Sequence, residues 1–431
     1  MIARVAKPAL VAGLLLAVAG LPVFALQGEI DVDAVPSAAL APMQGPGSQL
    51  IQAEATRLTS QFAVSGQTSP IEDLTLSGTT WLLLDSLPSY NPLAVPGTRL
   101  ALSSRVFQAD ASWQIIPGTL IWDTGKQIIH PSSGFFRAPL NLMSRGAAGN
   151  VPQQIPAAAP QWEEGWIGTR LLWIVGDISF EEFFAPRLVW SSDVDAALGY
   201  LSAQQNDFMN QVRVQAHVGG VDLQVLALVS AGGPGSADPA LHAQGGVGVD
   251  ANVGDRLTVR GELSLADSLS RLAVVDPVLL STSSQSVPWV IRALAGLTWS
   301  ITTKTSLIVE YAYDGLGFAG SDYANVIQYS RNRLENFGSV PDVLGQFGSF
   351  RAAQHYGFAR LAENITDQLT AQGWIEVNVQ DPSAMDGIGL AVTNDGWGLS
   401  GSITNTWGGS NSEAGASAFL WQLDIELKLF F

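Results

Sequence analysis

An all-β fold, a transmembrane antiparallel up-and-down barrel of about 16 strands, is what three observations on this chain of 431 residues predict. Segment after segment alternates apolar with polar residues, the two-residue period of a strand with unlike faces. The connections are short and long in turn, which gathers tight turns at one end of a barrel and long loops at the other. Mean hydropathy is +0.22 and only 14% of residues are charged. No run of about eighteen apolar residues follows the amino-terminal segment, so the spanning elements are strands and not helices.

Residues 1–25 read as a secretory signal: Arg4 and Lys7 carry positive charge, 9–19 are apolar, and Val23-Phe24-Ala25 offers a small-x-small cleavage site. The chain contains no Cys, so neither a disulfide framework nor a lipid-modified terminal Cys is available. Export without disulfides fits the periplasm or outer membrane of a Gram-negative cell. Residues 26–72 are rich in Pro, Ala, Ser and Gly and do not alternate. Leu50, Ile51, Ala53, Leu58 and Phe62 are spaced as one short amphipathic helix, which predicts a periplasmic leader or a plug.

The barrel is expected over 73–431. Strands are read at 73–85, 98–113, 119–129, 167–177, 179–190, 210–218, 221–230, 241–252, 256–266, 288–301, 305–314, 352–363, 368–381, 387–393, 396–407 and 419–431. Tight turns at 116–118, 176–177, 219–220, 254–255, 302–304, 364–367 and 394–396 use residues that tolerate hairpin backbone angles and are assigned to the periplasmic end. Long connections at 130–165, 191–209, 267–287 and 315–351 are assigned to the extracellular end. Trp289 and Trp299, ten residues apart on one strand face, have the separation of two interfacial aromatic belts. The segments 119–129 and 167–177 alternate poorly, and their faces stay unassigned.

The last segment has the cleanest pattern. Trp421, Leu423, Ile425, Leu427, Leu429 and Phe431 oppose Gln422, Asp424, Glu426 and Lys428. A carboxyl-terminal strand ending on Phe resembles the signal by which bacterial outer-membrane barrels are recognised by their assembly machinery, with Trp421, Leu429 and Phe431 as its anchors. A barrel leaves no strand edge in lipid only if it closes, so this strand is expected to pair with the one near Asp73. The order of several short pieces also resembles little-characterised proteobacterial porins related to the alginate-export barrels. These pieces are Trp122-Asp123-Thr124-Gly125-Lys126-Gln127, the loop Pro139-Leu140-Asn141, Phe184-Ala185-Pro186-Arg187, Gly219-Gly220-Val221-Asp222-Leu223 and Glu310-Tyr311-Ala312-Tyr313-Asp314-Gly315. Where those porins lead into a Trp-Gly pair, this chain has Ile129-His130-Pro131. The resemblance implies a barrel in the outer membrane that carries no catalytic residues.

The polar face of such a barrel lines an aqueous path. Alternation assigns Arg213, His217, Asp222, Arg256, Arg260, Glu262, Arg292, Glu310, Arg360, Glu376, Asp424, Glu426 and Lys428 to it. Opposed acidic and basic rows set a transverse field that selects solutes, or pair with one another to satisfy the wall. The long connection 130–165 is expected to fold into the pore and narrow it, with Phe135, Phe136, Arg137, Asn141 and Arg145 as its contact residues, the alternative being a loop over the mouth.

Nothing points to catalysis, metal or cofactor. The four His are scattered, none lies in a recognisable Ser or Asp context, and Ala231-Gly232-Gly233-Pro234-Gly235 lacks the Lys of a phosphate loop. A formal charge of -17 argues against nucleic acid as a partner. The expected partners are outer-membrane lipid and lipopolysaccharide, the assembly machinery and small solutes. The expected function is passive diffusion of small polar or anionic solutes. Two alternatives stand beside it: a channel for hydrophobic or amphiphilic compounds gated by 27–70, and a non-conducting barrel serving as a scaffold or adhesion platform through 315–351.

Overall fold

The computed structural model describes residues 31–34, 37–39, 57–71, 73–88, 98–127, 129, 133, 135, 138–140, 142, 166–186, 207–232, 241–278, 281–337, 353–394, 396–409, 411–413 and 421–430. Two short strands, β1 (Asp31–Ala34) and β2 (Ser37–Ala39), precede β3 (Arg57–Ile71), β4 (Leu74–Pro88), β5 (Thr98–Ile116) and β6 (Leu120–Gln127). The wall continues through β7 (Trp166–Val175), β8 (Ile178–Ala185), β9 (Asp207–Val218), β10 (Val221–Gly232), β11 (Leu241–Val253), β12 (Leu257–Asp276), β13 (Ser281–Ser300) and β14 (Thr305–Asp314). One helix among the described residues, α1 (Gly320–Phe337), separates β14 from β15 (His355–Asn364). The last strands are β16 (Leu369–Asn378), β17 (Ser383–Asn394), β18 (Trp397–Trp407) and β19 (Trp421–Phe430).

From β3 to β19 each strand pairs antiparallel with the next, in one sheet. The pairing order returns on itself through β1, which lies between the first and last long strands: Val32 pairs with Val64 of β3 on one side and with Leu429 of β19 on the other. β2 also pairs with β3, so β1 and β2 share one lane of the wall. The sheet therefore closes on itself, and a closed sheet is the condition for strands to stand in hydrocarbon.

β4 to β19 correspond to the sixteen strands that alternation predicts, with most ends moved by a few residues and the facing ends of β12 and β13 extended by ten and seven. The reading of 26–72 is corrected where the structure describes it. β1, β2 and β3 belong to the wall, and β19 closes against β1 and not against the strand near Asp73, which lies between β3 and β5. The error has a physical origin. Leu58 and Phe62 are four residues apart, a spacing that puts two side chains on one face of a helix and equally on one face of a strand. Residues 1–25 and the first part of the predicted helix lie outside the described residues.

The short connections are tight turns or bends, as their composition requires. Gly219 and Gly220 join β9 to β10 with φ of 58° and 83°, a two-residue turn with both centres left-handed, which glycine alone enters without cost. Of the four predicted long loops, 191–209 lies outside the described residues up to 206, and the other three differ in kind. Residues 267–287 are mostly strand, because β12 and β13 run on as a hairpin arm to Asp276 and from Ser281. The Ser-rich start of β13 has no apolar face to reveal it. The loop 315–351 contains α1, and the loop after β6 is folded back onto the sheet.

Aromatic side chains mark two levels on the exposed face. Trp113, Trp122, Trp173, Trp299 and Trp397 gather near the short turns, while Trp289 and Trp407 lie toward the other end, all exposed. Ten residues from Trp289 to Trp299 correspond to about 33 Å along the strand, or about 25 Å along an axis tilted by about 40°.

Candidate functional site: an inner face narrowed by two inserted segments

Burial on this sheet is inverted relative to a soluble one. Along β10 to β16 the alternate residues Val225, Val247, Val259, Leu263, Leu265, Ile375 and Val377 are exposed, whereas Gln224, Glu262, Ser264, Glu310, Gln372 and Glu376 between them are buried. The polar row faces inward in the closed sheet and the apolar row outward. No helix among the described residues is long and apolar enough to cross a membrane. The exposed apolar surface belongs to strands.

The first inserted segment follows β6. Gly125 takes φ 128°, and beyond it Lys126 and Gln127 are both buried, so the alternation breaks where the chain leaves the wall. Ile129 packs with Trp166, Phe183 and Leu228 on β7, β8 and β10. The chain then reaches across to β11, β12 and β14. The Ser133 amide donates to Glu262 Oε1 at 2.6 Å and its hydroxyl to Asp250 Oδ1 at 3.1 Å. The Phe135 amide donates to Glu310 Oε1 at 2.9 Å. The Phe135 ring stacks on Phe358 at 5.8 Å and lies under the Arg360 guanidinium at 5.2 Å. Arg260 secures the crossing, donating to the Ser133 carbonyl at 2.8 Å, Thr298 Oγ1 at 2.7 Å and Glu310 Oε1 at 3.4 Å.

The return passes through Leu140, which is 0% exposed. It seats against two inward glycines of β11: a Cβ added at Gly246 would stand 2.4 Å from Leu140 Cδ2, and one added at Gly248 2.9 Å from Cδ1. Leu142 packs back against the Phe183 cluster. The segment between 129 and 142 thus touches the inner face of strands on both sides of the barrel. Phe136, Arg137, Asn141 and Arg145 lie outside the described residues.

Helix α1 is the second insertion. Val326, Ile327 and Tyr329 are buried with Phe318, Tyr356, Phe358 and Trp374, and Phe135 packs against the same cluster, so the two insertions meet. Polar contacts pin the helix. Asn378 Nδ2 donates to the Tyr323 hydroxyl at 2.9 Å and to Glu413 Oε2 at 2.7 Å, and Tyr356 donates to the same Glu413 oxygen at 2.8 Å. Tyr323 donates to Asp381. Burial first, then the carboxylates of Glu413 and Asp381, push the Tyr323 hydroxyl far above the ordinary tyrosine range, which keeps it a donor. Asn332 Nδ2 bonds the Pro277 carbonyl at 3.0 Å, tying the helix to the β12–β13 arm.

The opposite wall, β6 to β9, carries a row of alternating charge. Arg170 stands 3.4 Å from Asp123 and 3.3 Å from Glu181, and Arg213 pairs with Glu181 at 2.6 Å. Of the residues that alternation predicts for the inner face, Arg213, Arg260, Glu262, Arg292, Glu310, Arg360 and Glu376 occupy inward positions. Arg292 pairs with Asp314 at 3.2 Å, and both Arg360 Nε and Nη2 donate to Gln372.

Three others lie at the turns. His217 and Asp222 pair at 2.7 Å with side chains 55% and 60% exposed beside the Gly219-Gly220 turn, and Arg256 lies exposed within the turn before β12. Alternation assigns a face but not a height, and these sit at the rim. The register sets Asp424 opposite Ser402, Glu426 opposite Ser400 and Lys428 opposite Gly398, while the side chains of β19, Trp421 and Leu429 included, and all of Phe431 lie outside the described residues. The sequence reading missed Asp123, Arg170, Glu181 and Asp250. In β7 the inward row continues from Arg170 into Leu172 and Ile174, so no polar face stands out.

No family model matches the chain, and no curated protein matches it in sequence. Solved structures do. OmpF of Salmonella typhi, in a complex with daunomycin, superposes with a TM-score of 0.50 over 94% of this chain and 97% of its own, at 10% identity. The fold is that of a porin barrel. A mutant of the porin of Rh. blastica aligns over 93% of this chain and 100% of its own, with a TM-score of 0.43 and 10% identity. Nothing in these comparisons supports a relation to alginate-export barrels.

Proposed function

We propose that the protein is an outer-membrane porin of a Gram-negative cell, exported by its amino-terminal signal, through which small polar or anionic solutes diffuse passively. The observation that carries this reading is the inverted burial: ionised and amide side chains line the inside of a closed sheet whose outside exposes Val, Leu and Trp. A water-filled lumen in an apolar surrounding accounts for both faces at once. The two insertions supply a narrowing, and the paired charges of β6 to β9 and the Arg260–Glu310 contact supply a transverse field where solutes pass.

The remaining partners follow from the same reading. Lipid and lipopolysaccharide meet the outer face, and the assembly machinery reads β19 through Trp421, Leu429 and Phe431. The alternative in which 27–70 forms a hatch loses three stretches of that segment to the wall.

Purified protein in planar bilayers should give stepwise conductance, and the reversal potential in a salt gradient should report an anion preference. A heat-modifiable barrel that never conducts would make it a scaffold instead. A clear cation preference would remove the anion part alone.

A further inference from the structure

The outer face between β12 and β16 is not smooth. The small residues Ala295, Gly357 and Ala359 lie among the larger outward side chains Val309, Ile375 and Val377, and they open a recess of about 560 Å³. A Cβ added at Gly357 would meet nothing within 4 Å, so the glycine borders open space and is not a close approach between strands. The outward side chains around the recess are hydrocarbon but for the Tyr311 hydroxyl, and it lies between the levels of Trp289 and Trp299. Water gains no partners there, and an acyl chain gains contact on several sides.

A polar group stands at one end. His355, the first residue of β15, lies outward beside Tyr313 with ring centroids 5.0 Å apart, and its Nδ1 hydrogen-bonds the Tyr311 hydroxyl. When Tyr311 donates to Nδ1, the imidazole proton sits on Nε2, a donor for an oxygen outside the protein. Tyr311 belongs to both features, since it also borders the recess.

We infer that this recess binds one acyl chain of a phosphate-bearing membrane lipid, with His355 donating to a head-group oxygen. The inference rests on the membrane-barrel reading above but not on conduction. The chemistry matches an amphiphile: a shallow apolar recess open toward lipid, with a hydrogen-bond donor beside it at the first residue of β15.

Native mass spectrometry of the detergent-purified protein titrated with phosphatidylglycerol tests it, with diacylglycerol as the head-group control. One lipid should be retained preferentially. Gly357→Leu, which fills the recess, should weaken retention at least about tenfold, with conductance and heat-modifiable migration unchanged. His355→Phe should reduce phosphatidylglycerol to the level of diacylglycerol. Equal retention by wild type and Gly357→Leu would overturn the proposal. So would a Gly357→Leu variant that turns an oligomer into a monomer without altering lipid retention, since the occupant would then be a second copy.

If Gly357→Leu does not fold, photocrosslinking of wild type with a diazirine-tailed phosphatidylglycerol decides. Labels concentrated on the peptides of β13 and β15 support the site, and labels spread evenly around the barrel overturn it. Loss of conductance alone would count against the channel reading and leave this one standing.

Discussion

Leu140→Ala isolates the seat of the inserted segment. Leu140 is fully buried, and its two methyl groups fill the space left by the missing side chains of Gly246 and Gly248. The barrel's own ladders do not run through Leu140, so its truncation falls on the equilibrium between seated and unseated segment rather than on the fold. Leu to Ala at a fully buried site costs about 2–5 kcal/mol. The lower figure, about 2 kcal/mol, raises the unseated fraction roughly thirtyfold. Single-channel recordings should show more frequent excursions to a wider state, and trypsin should cut faster at Arg137 and Arg145.

Gly248→Ala acts on the same contact from the other side, because the three atoms nearest its new Cβ are side-chain atoms, Gln224 Nε2 and Cγ and Leu140 Cδ1, at 2.7–2.9 Å. Combined with Leu140→Ala the added methyl replaces part of the lost volume, so the double variant should be less perturbed than the sum of the two. Additive effects, or Leu140→Ala recordings identical to wild type, would refute the seat.

Other expectations are as direct. Glu310→Gln weakens the bonds from the Phe135 amide and Arg260, and should loosen the segment by about 1.5–3 kcal/mol, read as increased open-channel noise. Arg256→Glu should leave the reversal potential unchanged because the residue lies at the turn, whereas Arg260→Glu should move it toward cations; equal shifts would put both in the path. Tyr356→Phe deprives the Ala353 amide and Glu413 of a partner, at about 1–3 kcal/mol, and limited proteolysis at Arg331 in α1 should accelerate.

The wall was legible where one face had to meet hydrocarbon. β12, β14 and β16 alternate because Val259, Val309 and Ile375 must be apolar while Arg260, Glu310 and Glu376 need not be, and a strand so constrained announces itself. Segments relieved of that demand were hidden. The upper arm of β12 and β13 extends beyond the apolar region, so its Ser-rich strand read as loop. The start of β3, through Phe62, read as the end of a helix because its apolar residues are too few to fix a period. The inserted segment was legible as a candidate by its length, but its anchors were not, since the Ser133 and Phe135 contacts use backbone amides that any residue carries. Leu140 gains its role only from glycines a hundred residues away on β11.

The lane shared by β1 and β2 has a consequence for the order of assembly. Most neighbours in this sheet are joined by a hairpin, so their ladders form locally and early. The contacts of Asp31 with Phe430 and Val32 with Leu429 join opposite ends of the described chain. Closing so large a loop costs about 3 kcal/mol more than closing a ten-residue turn, against the return from two short strands in one lane, β1 of four residues and β2 of three. This lane is the seam of the cylinder, the last to zip and the first to part. Until it zips, the long strands β3 and β19 are two open edges of a curled ribbon.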